Sequence, residues 1–281
     1  MTDPVVTEPV VIQYPLALDG LVTRVLECGD GDDVLVCLHG AGSRADRWRP
    51  ALPLLAAQGF HVYAVDFPGH GLAAKPEGYD YGSPAFTRGV HELIEQLGHG
   101  RVSLLGTSLG GHVSARVACE RPETVRSAVL IGAVGLVPEE PSEDSSTGAP
   151  IADASPAGTR AKLESLVDDQ SLITDEWVHE ETMINTSPGS AGARAELGRY
   201  MAQDLDDDRV GEQYAALGLA TMLCWGAQDK WIPTSVGDAT AKLIPHAEYV
   251  LVDGAGHAPY FERPEAFVRF VLPFLEAHSR A

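Results

Sequence analysis

The sequence predicts an α/β fold, a mostly parallel sheet covered on both faces by helices. Three observations carry that expectation. Strand-like and helix-like segments alternate up to residue 136 and again after 219, the rhythm of strand–helix–strand crossovers. Several strands are short, unbroken apolar runs that close on glycine, such as "DVLVCLHG" at 33–40, as buried parallel strands do. The 281 residues, 44% hydrophobic and 21% charged, suit a globular α/β domain with an insertion.

The elements follow in order. Segments 9–14 and 20–27 alternate and flank Asp19-Gly20, which reads as an antiparallel hairpin. The apolar run at 33–40 is the third strand. A helix is expected near 47–58, with Gly59 as its stop. "FHVYAV" (60–65) is a strand, followed by the glycine-rich "DFPGHG". Residues 84–97 form an amphipathic pattern ending at Gly98, and "RVSLLG" (101–106) is the next strand. A helix over about 109–120 stops before Pro122, and "VRSAVLIGA" is again a strand. "ATMLCWG" (220–226) and "AEYVLVDG" (247–254) complete eight strands. Helices are expected at about 235–243 and 264–278.

Residues 137–214 break this rhythm. They hold 18 Asp/Glu against 5 Lys/Arg, so 13 of the 20 net negative charges lie there. The stretch 138–158, rich in Pro, Ser and Gly, has the composition of a linker. Leu163, Leu166, Val167, Leu172, Ile173, Trp177 and Met183 then demand burial. The expected organisation is a core of 1–136 and 215–281 with a helical cap, 137–214, over the carboxyl ends of the strands, where α/β sheets bind ligands.

Composition narrows the partners. A net charge of −20 argues against nucleic acid. With no 18-residue apolar run and no basic, apolar leader, neither membrane insertion nor secretion is expected, and the default location is cytoplasmic. The cysteines 28, 37, 119 and 224 show no metal-ligand spacing. Cys37 and Cys224 read as buried thiols, and no metal is expected. A homo-oligomer is left open.

One motif carries chemistry. Gly106-Thr107-Ser108-Leu109-Gly110 fits G-x-S-x-G between a predicted strand and a predicted helix, the context that gives the motif meaning. A serine on a sharp strand-to-helix turn is held exposed, and the Leu109 amide can face a developing oxyanion at the helix N-terminus. A serine needs a base, and the base an orienting acid. In the chain order Ser, acid, His, the candidates are Asp229, just past a strand, and His257, in a glycine-flanked loop past the last strand. Asp238 and Asp253 compete for the acid's role. The second oxyanion donor is expected in "LHGAGS": Ala41, with Gly42 in reserve. His39, His70 and His112 read as structural, and Asp66 as bonding the backbone of its own loop. Phe67, Trp177, Met183, Trp231 and Tyr260 are candidate pocket residues.

Together "LHGAGS", "DFPGHG", "GTSLGG", "GAQDKWIP" and "GAGHAPYFERPE" resemble the α/β-hydrolase fold superfamily over nearly the whole chain. The resemblance implies a Ser108–His257–Asp229 triad, an oxyanion hole from the Ala41 and Leu109 amides, and a helical cap. Residues 155–178 are similar to the cap of the C–C hydrolases that act on meta-cleavage products. Two positions depart from that family. Ser43-Arg44 follows Gly42 where a Gly-Pro-Gly stretch is usual, and Ala258 follows the histidine where Trp is frequent. Ser108 excludes the aspartate nucleophile of related epoxide hydrolases and dehalogenases.

The leading expectation is a cofactor-free serine hydrolase of a small carboxylic ester or lactone. The alternative is a C–C hydrolase of ring-cleavage products, which needs a cation for a substrate carboxylate; Arg44, Arg194 and Arg199 are the candidates. A non-catalytic ligand receptor and a cofactor-free oxygenase are the other classes on the same fold.

Overall fold

The computed structural model describes residues 9–138 and 152–279. The Pro/Ser-rich 138–158 stretch falls largely outside them, as do residues 1–8. Eight strands form one sheet in the order β1-β2-β4-β3-β5-β6-β7-β8. β1 (Ile12–Leu18) and β2 (Leu21–Cys28) make an antiparallel hairpin. Its turn is Asp19-Gly20, with φ of 50° and 74°, as a two-residue hairpin turn that matches the strand twist requires. β2 also pairs antiparallel with β4 (Phe60–Val65). From β4 through β3 (Asp33–Leu38), β5 (Val102–Thr107), β6 (Val125–Ile131), β7 (Thr221–Gly226) and β8 (Glu248–Val252) every pairing is parallel.

The central strands are mostly apolar because both faces are covered. All six residues of β5 and all six of β7 are buried. One face packs on α2 (Ser83–Leu97) and α3 (Leu109–Glu120), the other on α1 (Leu52–Ala56) and the C-terminal helix. Cys28, Cys37 and Cys224 are buried in this core.

The helix expected over 47–58 is broken in two. A single turn of tight helix, Ala45–Trp48, precedes the five-residue α1. Pro50 and Pro53 lack the N–H groups a continuous helical ladder needs, and Pro53 is tolerated because it lies in the first turn of α1.

Between β6 and β7 the chain forms α4 (Pro156–Leu166), α5 (Asp175–Asn185), α6 (Ser190–Gln203) and α7 (Gly211–Ala216). Ser155 and Thr174 cap α4 and α5 through side-chain oxygens that accept N–H bonds. Leu163, Leu166, Val167 and Val178 form a small core of their own, with Ile173 and Trp177 against it. Met183 is 60% exposed, against the burial expected of it. α7 runs across residue 214 and packs on α3 and on α8 (Thr234–Leu243). The chain ends with α9 (Pro259–Glu262) and α10 (Pro264–Ala277).

Candidate active site

Ser108 stands between β5 and α3 with φ 53° and ψ −120°. Among the described residues only it and Asp19 are non-glycine residues with positive φ. Such a conformation costs on the order of 1–3 kcal/mol and persists only where its surroundings over-determine it. Here the Ser108 N–H is held by the Ile131 carbonyl (2.8 Å), and its carbonyl accepts from Gly111 (2.9 Å) and His112 (3.2 Å). A Cβ on Gly106 would lie 2.2 Å from the Gly110 carbonyl oxygen, and one on Gly110 2.5 Å from that of Leu38. Both glycines let the turn close against β3 and α3. A Cβ on Gly40 would meet the Ser108 Cβ at 2.9 Å, so the 39–42 loop passes directly beside the serine.

His39 fixes that loop from inside. Its Nδ1–H donates to the Gly40 carbonyl (2.8 Å), and its Nε2 accepts from the Phe67 N–H (2.9 Å). Burial pulls its pKa down to about 4 and that of His70 to about 3, so both rings are neutral in the fold. Asp66 accepts from the Ala45 (2.7 Å) and Leu72 (2.9 Å) amides and from Arg24, tying two loops together.

Asp229 and His257 meet across 28 residues. The His257 Nδ1–H donates to Asp229 Oδ2 at 2.7 Å. The other carboxylate oxygen accepts the amides of Trp231 (2.8 Å) and Ile232 (2.9 Å), which fixes its plane. His257 Nε2 is buried with no hydrogen-bond partner. Of the competing acids, Asp253 accepts from Gln228, and Asp238 faces Tyr249. Gly132, which the sequence reading passed over, lies against the pair. Its φ is 49°, and a Cβ there would sit 3.1 Å from the imidazole and 3.2 Å from Asp229 Oδ2.

Ser108 and His257 line one pocket together with Gly40, Ala41, Ser43 and Arg47 from the loop after β3 and the turn that follows it, and with Leu166, Trp231 and Tyr260. Its volume is about 20 Å³, room for little more than one water molecule. Trp231 stacks on His257 with ring centroids 5.4 Å apart.

Of the pocket residues expected from the sequence, Trp231 and Tyr260 lie here and the rest do not. Phe67 is core, stacked on Phe86 at 4.8 Å and tilted against His39 at 4.7 Å. Trp177 stands behind Arg47 and packs on Phe261. Met183 faces solvent. Arg44 is consumed by Asp46, Glu180 and Glu181. Arg194 bonds the Asn185 carbonyl and lines a separate cavity with Gly42 and His70. Arg199 pairs with Glu196 and Asp204 at the surface. Ala41 lines the pocket, whereas Gly42 does not, and its carbonyl is held by Lys162 (3.0 Å). The Leu109 amide opens α3, where a helix N–H has no acceptor in its own turn.

Among the described residues that line the pocket, the one Lys or Arg is Arg47, which sequence reasoning missed. The only signal was its place, four residues beyond Ser43 in the loop that carries Ala41. Arg44, Arg47 and Lys162 converge on one buried carboxylate, Glu181, at 2.9, 3.1 and 2.6 Å. Burial opposes charge on Glu181, yet Lys162, Arg47 and Arg44 hold its carboxyl far below the usual range. Burial pulls the Arg47 guanidinium below its ordinary value, and Glu181 offsets this only in part. Its Nε has no partner, and the group lies 4.2 Å over the Trp177 ring. Among the described residues no group of three or more His, Cys, Asp or Glu is placed to hold a metal ion, and no helix is long and apolar enough to cross a membrane.

The chain is similar to known hydrolases in sequence and in fold. The chain is 30% identical, over 92% of its length and 89% of the relative's, to 2-hydroxy-6-oxo-6-(2'-aminophenyl)hexa-2,4-dienoic acid hydrolase of Metapseudomonas resinovorans. It is 29% identical, over 98% and 99%, to a 2-hydroxy-6-oxononadienedioate/2-hydroxy-6-oxononatrienedioate hydrolase of Burkholderia vietnamiensis. Its fold matches that of 2-hydroxy-6-oxo-6-phenylhexa-2,4-dienoate hydrolase from Rhodococcus sp. strain RHA1 with a TM-score of 0.87 at 24% identity, over 95% of this chain and 99% of that one. A sequence model described as alpha/beta hydrolase family matches residues 35–270. The chain belongs to the alpha/beta hydrolase family and resembles its meta-cleavage-product C–C hydrolases.

Proposed function

We propose that this hydrolase cleaves an acyl compound bearing a carboxylate, through a Ser108–His257–Asp229 triad, and that its substrate is a vinylogous 1,5-diketone cut at a C–C bond. The observation that carries the triad is the His257–Asp229 hydrogen bond, which leaves Nε2 unpartnered in the pocket of a strained serine. With Nδ1 protonated toward the acid, Nε2 is the free base.

In this reading Ser108 Oγ attacks the ketone carbonyl and its proton passes to His257 Nε2. The Ala41 and Leu109 amides hold the oxyanion; losing one such donor typically costs about 10²–10³ in rate. Collapse of the tetrahedral intermediate breaks the C–C bond. The departing dienolate takes a proton from the imidazolium, and the acyl group stays on Ser108. Water, deprotonated by His257, then releases the carboxylic acid. No cofactor or metal enters these steps. The Arg47 cation supports a substrate carboxylate, since an under-compensated buried guanidinium gains most from an anion. The names of the relatives, hydrolases of 2-hydroxy-6-oxo dienoates, point the same way.

A second reading, hydrolysis of a carboxylic ester or lactone by the same triad, is favoured by Ala258 and by Ser43-Arg44, where the C–C hydrolases usually differ. Rates on a 2-hydroxy-6-oxo-dienoate and on p-nitrophenyl esters separate the two. Turnover of the dienoate with a kcat/KM at least about tenfold higher is expected. Ester turnover with no loss of dienoate absorbance would transfer the function to the second reading. The triad has its own test. A fluorophosphonate should label Ser108, and His257→Ala should abolish the label; an unlabelled Ser108 would sink the triad and revive the receptor class.

The intervening helices are proposed to act as the cap, with the boundaries 137–214. The proposed partner is a small-molecule acyl substrate, with neither nucleic acid nor membrane involved. The cytoplasm is the proposed location.

A further inference from the structure

Three successive amides carry the loop that presents His257, and each bonds a group outside that loop. Gly256 N–H (2.9 Å) and Ala258 N–H (3.2 Å), on either side of the histidine, both donate to Glu262 Oε1. The His257 N–H donates to the Leu166 carbonyl (2.8 Å), which belongs to the last turn of α4. The other oxygen of Glu262 accepts from the Asp168 N–H at 2.7 Å, two residues beyond Leu166. One buried carboxylate thus joins the two amides around the histidine to the backbone that follows α4.

The contact is close enough to shape the sequence. A Cβ on Gly256 would lie 2.7 Å from the Leu166 carbonyl oxygen and 2.9 Å from the Asp168 nitrogen. Arg263 adds an ion pair to Asp169 (2.9 Å) at the exposed rim. Burial raises the Glu262 carboxyl against the pull of these N–H bonds, and the 4% exposure of Glu262 leaves it little access to water. Leu166 is one of the residues that line the pocket, whose volume is about 20 Å³. A substrate of several carbons needs residues around this space to move. A shift of the 166–168 backbone would break the His257–Leu166 and Glu262–Asp168 bonds.

We propose that Glu262 is a positioning residue that couples the seating of residues 166–169 to the orientation of His257, so that the base is in place only when that segment is docked. The proposal rests on His257 being the base. The chemistry requires a carboxylate. Glutamine would present an NH₂ donor to one side of a site made of donors, and aspartate is one methylene too short to span both loops. A base displaced by about 1 Å can cost ~10²-fold in rate without loss of binding.

The test compares Glu262→Gln, Asp168→Pro and the double variant with the wild type. Asp168→Pro removes the N–H on the far side of the carboxylate together with the Asp168 side chain, which makes none of these bonds, and Val167, at ψ 147°, is already in the extended conformation that precedes proline. The readouts are kcat and KM on a p-nitrophenyl ester and the rate at which a fluorophosphonate labels Ser108. Each single variant is expected to lower kcat and the labelling rate about 10–100-fold with KM within about twofold. The double variant is expected to lose little more than Glu262→Gln alone, because both act through one link. Wild-type labelling rates in either single variant, a loss confined to KM, or fully additive losses would overturn the proposal. If Glu262→Gln does not fold, Asp168→Pro decides alone by the same criteria. A wild type that is not labelled refutes the triad itself, so the two failures are distinguishable.

Discussion

The two walls of the pocket are built by opposite means. The wall that holds Ser108 is made of backbone: Gly106, Gly110 and Gly40 let main chains approach until a single methyl group would clash. The wall around Arg47 is made of long side chains, where cations from the 44–47 turn and from α4 meet a carboxylate from α5. The first is marked by glycines that stand in two short local motifs, one around Ser108 and one at Gly40. The second is specified by pairings 19 to 137 residues apart. Backbone walls tolerate no added atom, whereas side-chain walls tolerate no missing charge.

The largest expected effect separates chemistry from stability in the backbone wall. Ser108→Gly removes the nucleophile and should cut kcat by about 10⁴-fold or more. The same change removes the Cβ that makes φ 53° costly, so the fold should gain about 1 kcal/mol, read as a higher Tm. A less stable Ser108→Gly protein would mean that the turn is not strained.

The side-chain wall should respond in the opposite way. Glu181→Gln leaves Arg44, Arg47 and Lys162 buried without their shared anion, at an expected cost of about 3–5 kcal/mol in urea unfolding. An unchanged midpoint would show that the three cations rearrange to solvent, and that this wall is softer than its burial implies.

Legibility in the sequence follows the same division. The strands, the hairpin turn and the Ser, Asp and His positions at strand ends were readable because each depends on local pattern: apolar runs, Asp-Gly, glycines around a serine. Pro50 and Pro53 are readable too, yet the helix expected near 47–58 takes no account of them and the fold breaks there. Arg47, Leu166 and Glu262 were not readable. Nothing near Arg47 distinguishes it from Arg44 or Arg49, and its role is assigned by Glu181 and Trp177, more than a hundred residues away. Phe67 and Met183 were misplaced for a related reason. Residue type suggests burial, but which cavity a side chain reaches depends on packing between elements.

A pH series probes the backbone wall through the histidine that braces it. His39 has both ring nitrogens engaged as a neutral tautomer, and a proton on Nε2 would face the Phe67 N–H. Its pKa is about 4 in the fold against 6.5 in the unfolded chain. The unfolded state therefore binds more protons between those values, so stability is fully present above pH 6.5 and is lost as pH falls toward 4. The contribution of this one group is about 3 kcal/mol. Thermal melts should show Tm falling through that window, with a shallower fall in His39→Gln. Equal slopes would assign the acid sensitivity elsewhere.

The smallest effect sharpens the comparison most, because it asks whether the side-chain wall recognises substrate or only supports the fold. Arg47→Met keeps an unbranched apolar stem against Trp177 and Phe261 and removes the charge. Glu181 keeps Arg44 and Lys162, so no buried anion is orphaned and folding should be largely preserved. If Arg47 holds a substrate carboxylate, KM for a dienoate should rise about 10–50-fold, while KM for an uncharged p-nitrophenyl ester stays within about twofold. Equal changes on both substrates would make Arg47 a structural member of the Glu181 cluster, and the pocket would then have no Lys or Arg for a substrate carboxylate among the described residues that line it.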